Sequence, residues 1–421
     1  MANYLLKIKE LFFKKRFLIF VLISLVFFQL IFSFSFPAVG SNDNWLSIDS
    51  YLPKFQVGDS DNFLLSEVYP LISSEYRLSG DVGNYLELAL NFTPQYFENH
   101  VFLNRPLYPF LISLTSIPLQ AFLAPSYGLV FVASILLNFI LISLAVVLFF
   151  LLLKNLFSLS VAFFSSVLLI FSPSVHIALI QPLAEMLMIF AVSLTAYLLY
   201  NYIKKPSIFK LMLYSLVVGV LMLGKMFFAI SFFILLLALY FKRYKEGIIF
   251  SLVHLIPLAF WYLWVTQVWK IPFFFHQVQD WGAGVWIFNI FLGPWHKAFQ
   301  VLLAIPFNFI EALIYGFILI PLLFSIIGFK FLPFKSKNIF YFGPFLSLFA
   351  LFFVINLYLY YHAFLLYPII YPTAILGIGS ISDSLKKYRP WFSPVFYILT
   401  ISLIIIISNV NIFKFFDWFA I

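Results

Sequence analysis

The chain has 421 residues, of which 64% are apolar, 22% aromatic and only 10% charged. A water-soluble chain carries roughly 25% charged residues, so lipid must solvate most of this surface and a soluble globular protein is excluded. The formal charge of +9 does not mark a nucleic-acid binder, because Lys and Arg sit in short clusters between apolar runs, where the positive-inside rule places them.

In chain order, Lys14, Lys15 and Arg16 precede an apolar run over 17–36. That run exceeds the core of a signal peptide, about 7–15 residues. It reads as a retained first helix with a cytoplasmic N-terminus, although Ala38-Val39-Gly40 offers a cleavage site. Residues 37–105 are the longest polar stretch and carry more than half of the 16 acidic residues. They read as the first extracytoplasmic loop.

Further apolar runs fall near 107–123, 127–153, 158–172, 183–203, 208–224, 226–241, 247–269, 305–329, 339–359, 363–381 and 391–409. A spanning helix needs about 20 apolar residues, and about eleven or twelve runs qualify. The expected fold is an all-α polytopic membrane protein, one transmembrane domain over 1–421, with no internal repeat and no soluble domain. The clusters Lys204/Lys205/Lys210, Lys242/Arg243/Lys245, Lys330/Lys335/Lys337 and Lys386/Lys387/Arg389 fall in alternate connections. That pattern makes them cytoplasmic.

One conflict remains. Strict alternation from the first helix puts Lys154 and Lys204 outside, against the positive-inside rule. One run between 106 and 183 should therefore not cross. The run 107–123, bracketed by Pro106, Pro109, Pro118 and Pro125, is the first suspect and 158–172 the second.

Charged groups at membrane depth cost about 2.5–3.5 kcal/mol on insertion scales, so they are functional candidates. Residues 78–92 read as a short amphipathic helix with Asp81 as its N-cap, after Ser79 and Gly80. Leu88, Ala89 and Phe92 share one face, so the helix is expected to lie in the interface. Asp81 is then either a cap or a reactive carboxylate held near the head groups. Arg105, in Asn104-Arg105-Pro106-Leu107-Tyr108-Pro109, is either a snorkelling anchor or a phosphate fork. Gln181 and Glu185 are four apart and share a helical face. Glu185 either meets an acceptor or pairs with Lys225. Residues 270–296, the second notable outer loop, carry His276, Asp280, Trp281, Trp286 and His296, followed by Lys297. Trp there stacks on sugars or marks an interface. His176, His254, His362 and Glu311 have no assigned role. No phosphate-binding P-loop, zinc motif or nucleophile elbow occurs. With no Cys, thiol chemistry is excluded.

One N-terminal helix, then a long outer loop with Gly80-Asp81-x-x-x-Tyr85-x-x-x-Ala89, then Arg105-Pro106-Leu107-Tyr108-Pro109, resembles the GT-C glycosyltransferases. The closer likeness is to the mannosyl- and arabinosyl-transferases that use dolichyl- or undecaprenyl-phosphate sugars. Three further stretches look like family segments: Ser172-Pro173 with Gln181 to Glu185, Gly219 to Lys225, and Phe364 to Pro372. The resemblance implies a multi-pass protein of the cell (inner) membrane with an extracytoplasmic active site. It implies Asp81 as general base and Arg105 on the donor phosphate, with Lys225, His276 and His296 assisting. Tyr85, Tyr108, Gln181 and Glu185 would surround the substrates. The implied partners are a polyprenyl-phosphate sugar and a glycan, lipid or protein acceptor. No cofactor is required, and a weak divalent metal site is left open. Family members often have two prolines where this chain has Arg105-Pro106-Leu107, and Arg where it has Ala363. The competing readings are a glycan polymerase or ligase, and a lipid or solute transporter.

Overall fold

The computed structural model describes residues 2–35, 45–47, 77–94, 105–224, 243–271, 313–314, 317–332 and 366–409. The expected apolar runs 226–241 and 339–359, and most of both outer loops, lie outside the described residues. What is described is helical except for one antiparallel pairing, in which β1 (Trp45–Ser47) runs against β2 (Arg77–Ser79). Five of its helices are long and apolar enough to span a membrane, or six if one bent pair counts as a span.

The first helix, α1, runs Ala2–Ser35, and α2 is the short Gly80–Leu90. Next come α3 (Leu107–Leu119) and the 30-residue α4 (Tyr127–Leu156). Ser126 caps α4 by accepting from the Leu129 N–H at 3.2 Å. Ser158 caps α5 (Leu159–Ile170) in the same way. Only one residue separates its C-cap, Phe171, from the start of α6 (Pro173–Leu179). There Ser172 accepts from the Val175 N–H, and Pro173 supplies the first helical position, where a missing N–H costs nothing. The axis bends 50° across this break. Pro182 prevents continuation beyond α6, and α7 (Glu185–Lys204) starts with an acidic and ends with a basic residue, matching the helix dipole.

The remaining helices are α8 (Ile208–Met222), α9 (Tyr244–His254), α10 (Ile256–Leu263, extended by a π turn over Trp264–Val268), α11 (Leu319–Phe329), α12 (Tyr367–Lys386) and α13 (Phe392–Asn409).

Directions follow from contacts. Phe28 meets Phe171 and Ser33 meets His176, so α1 and the α5–α6 pair run the same way. The short turn at Phe157 and Ser158 sends α4 antiparallel into α5. Asn138 of α4 bonds to the Gln181 carbonyl, while Phe149 of α4 and Ser193 of α7 both touch Tyr367, so α4 and α7 run parallel. Arg16, Lys154 and Lys204 therefore lie at one end of the bundle, called here the basic end.

This arrangement resolves the parity conflict. At 13 residues, α3 is about 20 Å long, well short of a hydrocarbon core of about 30 Å. It forms a hairpin with α4, and its first turn meets Asn138, sixteen residues or about 24 Å of helix from Lys154. So α3 never reaches the basic end, and α5 with α6 forms a broken crossing instead. The outward face of α3 is apolar, with Phe110, Leu114 and Ile117 exposed.

Two expectations are corrected. Asp81 lies inside the first turn of α2, which starts at Gly80, rather than capping it. And α2 does not lie free in an interface. Tyr85, Leu86, Leu88 and Ala89 are buried, and the helix packs on α3 and α4. The expected single-sided pattern was real, but the surface it covers is protein.

Among the described residues, α11 and α12 approach each other closely. An added Cβ at Gly377 would collide with the Phe324 carbonyl, and one at Gly328 with the Thr373 carbonyl. Such close approach is how membrane helices associate where lipid offers no hydrophobic drive.

Two predictions follow from this architecture. Because native Cys is absent, single reporters are unambiguous. Ala124→Cys, in the α3–α4 turn, is expected to react with an impermeant maleimide on intact cells, and Lys205→Cys is not. Protection of both would mean that α3 crosses. Separately, Gly377→Ala is expected to cost about 1–3 kcal/mol by overpacking. Gly379→Ala, whose methyl would first meet the Tyr397 ring at 4.0 Å, should be neutral or stabilising by up to about 1 kcal/mol. Thermal melts in detergent that rank the two the other way would refute the close approach.

Candidate functional site

The residues singled out from the sequence are not scattered. The link begins at Tyr85, one turn after Asp81 in α2. Its ring meets that of Tyr108 edge to face, with centroids 5.3 Å apart. Both rings are fully enclosed. A buried tyrosine hydroxyl needs a partner, and Tyr108 donates to Oδ1 of Asn138 at 2.8 Å. The Nδ2 of Asn138 donates in turn to the carbonyls of Ala178, Leu179 and Gln181, at 3.2, 3.3 and 2.7 Å. Four residues after Gln181 comes Glu185, which lies within electrostatic reach of the Tyr108 hydroxyl.

Arg105 stands three residues before Tyr108 and is only 8% exposed, and Glu185 is only 6% exposed. The Leu107 N–H donates to the carbonyl of Leu223, just past α8, at 3.0 Å. Gly224 follows, and it packs so closely on Leu187 in the first turn of α7 that an added side chain would have to displace the end of the leucine. The ends of α2, α3, α7 and α8 are thus drawn together, away from the basic end. This gathers Arg105, Tyr108, Tyr85, Gln181 and Glu185. The Oε1 of Gln181 is buried with no hydrogen-bond partner among the described residues.

Asp81 lies one turn before Tyr85 on the backbone of α2. Lys225, His276, His296, His362 and Glu311 lie outside the described residues. His254 is accounted for locally: its Nδ1 pairs with the Phe250 carbonyl at 2.9 Å, and its ring stacks on Phe250.

The later segments meet as well. Tyr367 donates to the Ile189 carbonyl at 3.1 Å and pairs with Ser193 at 2.6 Å. The Tyr371 hydroxyl pairs with Ser172. The aromatic-and-proline segment near the end of the chain therefore packs on the Ser172-Pro173 break and on α7.

His176 joins a second polar cluster, on another face of α6. Its Nδ1 lies 3.1 Å from Gln29 Nε2 and 2.9 Å from Ser33 Oγ, and Gln29 Nε2 donates to Asn409 Oδ1 at 2.8 Å. Asn409 donates to the Phe171 carbonyl at 3.2 Å, satisfying the backbone at the break. This cluster ties α1 and α13 to the broken helix, which makes α1 a full member of the bundle.

Asn138 went unmarked in the sequence reading. The available signal was an amide in the middle of a helix that is otherwise almost continuously apolar.

Chemically, the first cluster brings a guanidinium, a carboxylate, two phenols and an amide together among buried residues. Ionic and hydrogen-bonding interactions there are stronger than in water. No family model, curated protein or solved structure matches this chain.

Proposed function

We propose that the chain is a GT-C-like glycosyltransferase, which moves a sugar from a polyprenyl-phosphate donor to an acceptor hydroxyl at the extracytoplasmic face. The observation that carries this reading is the gathering of Arg105–Tyr108, the Gln181–Glu185 turn and the helix bearing Asp81 around Asn138, partway along α4 and about 24 Å of helix from Lys154. The positive-inside rule makes the basic end cytoplasmic, so the cluster faces the other way.

In the proposed reaction the acceptor oxygen attacks the anomeric carbon. The bond from that carbon to the phosphate oxygen breaks, and polyprenyl phosphate departs with the electron pair. The acceptor proton passes to the Asp81 carboxylate, which is general-base catalysis worth about 10²–10⁴-fold. Arg105 stabilises charge growing on the phosphate, with five donors in a fork that matches phosphate oxygens. Lys225, directly after Gly224, adds a second cation. His276 and His296 contribute from the second outer loop. Gln181, Glu185, Tyr85 and Tyr108 hold the sugar and the acceptor. One displacement by one nucleophile inverts the anomeric centre.

A transporter would place its polar groups near mid-membrane, within broken helices related by repeats. A broken helix is present here, but the sequence carries no internal repeat, which favours the transferase over the transporter.

The test is to supply purified protein in nanodiscs with a panel of polyprenyl-phosphate sugars and acceptors, and to measure released lipid phosphate. Asp81→Asn is expected to lower transfer by about 10²-fold or more with unchanged expression and melting. Full activity in that variant would remove Asp81 from the mechanism. Arg105→Lys keeps the charge and loses the fork, and Arg105→Ala loses both. KM for the donor is expected to rise in that order, while KM for the acceptor stays nearly constant. Equal effects on both substrates would contradict contact with the phosphate.

A further inference from the structure

We infer that Asn138 is a positioning residue. It fixes the Gln181–Glu185 turn against Tyr108, and so sets the geometry of the two halves of the proposed site. The inference rests on the site proposed above for its chemical meaning, and on the geometry alone for its structural content.

The last turn of any helix leaves carbonyls without intrahelical partners. At the end of α6 those carbonyls, Ala178 and Leu179, lie inside an apolar bundle, where water is not at hand to satisfy them. The Gln181 carbonyl joins them at the second break, where Pro182 stops the helix and the Leu183 N–H also donates to it at 2.7 Å. Asn138 faces all three with a single amide. It has two N–H groups, so the bond to Gln181 at 2.7 Å takes one, and Ala178 and Leu179 share the other. Its oxygen accepts from Tyr108. One fully buried side chain, borne on the 30-residue α4, therefore caps a neighbouring helix and anchors the first turn of α3.

Alternatives are few at this position. Asp lacks the donors that the three carbonyls need. Leu has similar bulk but no polar atoms, so the Ala178 and Leu179 carbonyls and the Tyr108 hydroxyl would lose this partner, and the Gln181 carbonyl would keep only the Leu183 N–H. Ser134, one turn earlier on the same helix, is equally buried but bonds only to its own helix, at the Phe131 carbonyl. It is a matched control.

The experiment is hydrogen exchange by mass spectrometry on the full chain in nanodiscs, comparing wild type with Asn138→Leu, Asn138→Asp, Tyr108→Phe and Ser134→Ala. Both Asn138 variants are expected to speed exchange over 177–185 by about tenfold or more, with the far half of α4 unchanged. Tyr108→Phe should speed exchange over 107–112 and leave 177–185 close to wild type. Ser134→Ala should match wild type throughout. If Asn138→Leu fails to accumulate, Asn138→Asp, which keeps the volume and one oxygen, decides. Unchanged exchange over 177–185 overturns the inference, and so does acceleration spread evenly across all helices. These readouts need no turnover, so they stand or fall separately from the transferase reading. Where wild type does transfer sugar, Asn138→Leu should lower kcat about tenfold or more while donor KM shifts under about threefold. An equal loss in Ser134→Ala would reduce Asn138 to ordinary packing.

Discussion

The structure depends on one constraint: backbone that leaves the helix inside an apolar bundle must find its hydrogen bonds in neighbouring side chains. The stretch from Phe171 to Glu185 breaks twice, at Ser172-Pro173 and at Gln181-Pro182. Its carbonyls are met from three directions. Asn138 takes those at the second break, and Asn409 takes Phe171 at the first. Ser172 closes the turn by donating to the Leu169 carbonyl at 2.9 Å. Such a segment is tolerated at membrane depth only where protein buries it. Once buried and bonded it is rigid, and rigid elements hold reacting groups more accurately than loops do.

The same bonds that satisfy the break also assemble the site. Tyr108 reaches Asn138 only because α3 stops halfway down α4. A crossing helix in its place would carry Arg105 to an end of the bundle rather than to the level of Asn138. Tyr85 packs on Tyr108 and so brings in the first turn of α2. The Leu107–Leu223 bond and the bare Cα of Gly224 bring in the end of α8. Four chain segments, distant in sequence, are thus tied to one short helix.

Much of this was legible beforehand, for physical reasons that can be named. Long apolar runs report lipid contact directly. The charge conflict at Lys154 exposed a run that could not cross, and the prolines around 107–123 pointed to which. Ser172-Pro173 is a readable helix start. The role of Asn138 was not readable, because a lone amide in a helix looks alike whether it caps a neighbour or bonds its own backbone. The burial of α2 was missed for a related reason. Leu88, Ala89 and Phe92 announce one apolar face, but that pattern is the same against lipid and against protein. What distinguishes the two is Tyr108, which the sequence places beyond an acidic loop with no local signal of contact.

A buried Arg105 and a buried Glu185 are expensive in isolation, because desolvating each charge costs several kcal/mol. Stability alone does not select for such groups, since apolar residues of similar size would serve the bundle as well. In the proposed site these groups also meet a ligand, the lipid-phosphate donor. In the proposed reaction that ligand is amphiphilic, and its polyprenyl chain stays in the bilayer while its phosphate and sugar seek a polar enclosure. The exposed apolar face of α3, with Phe110, Leu114 and Ile117 toward lipid, lies on the same short helix whose first turn follows Arg105. A lipid-borne phosphate can then meet the guanidinium without its tail leaving the membrane. In the proposed reaction the donor would use both features, its chain against the apolar flank and its phosphate at the guanidinium.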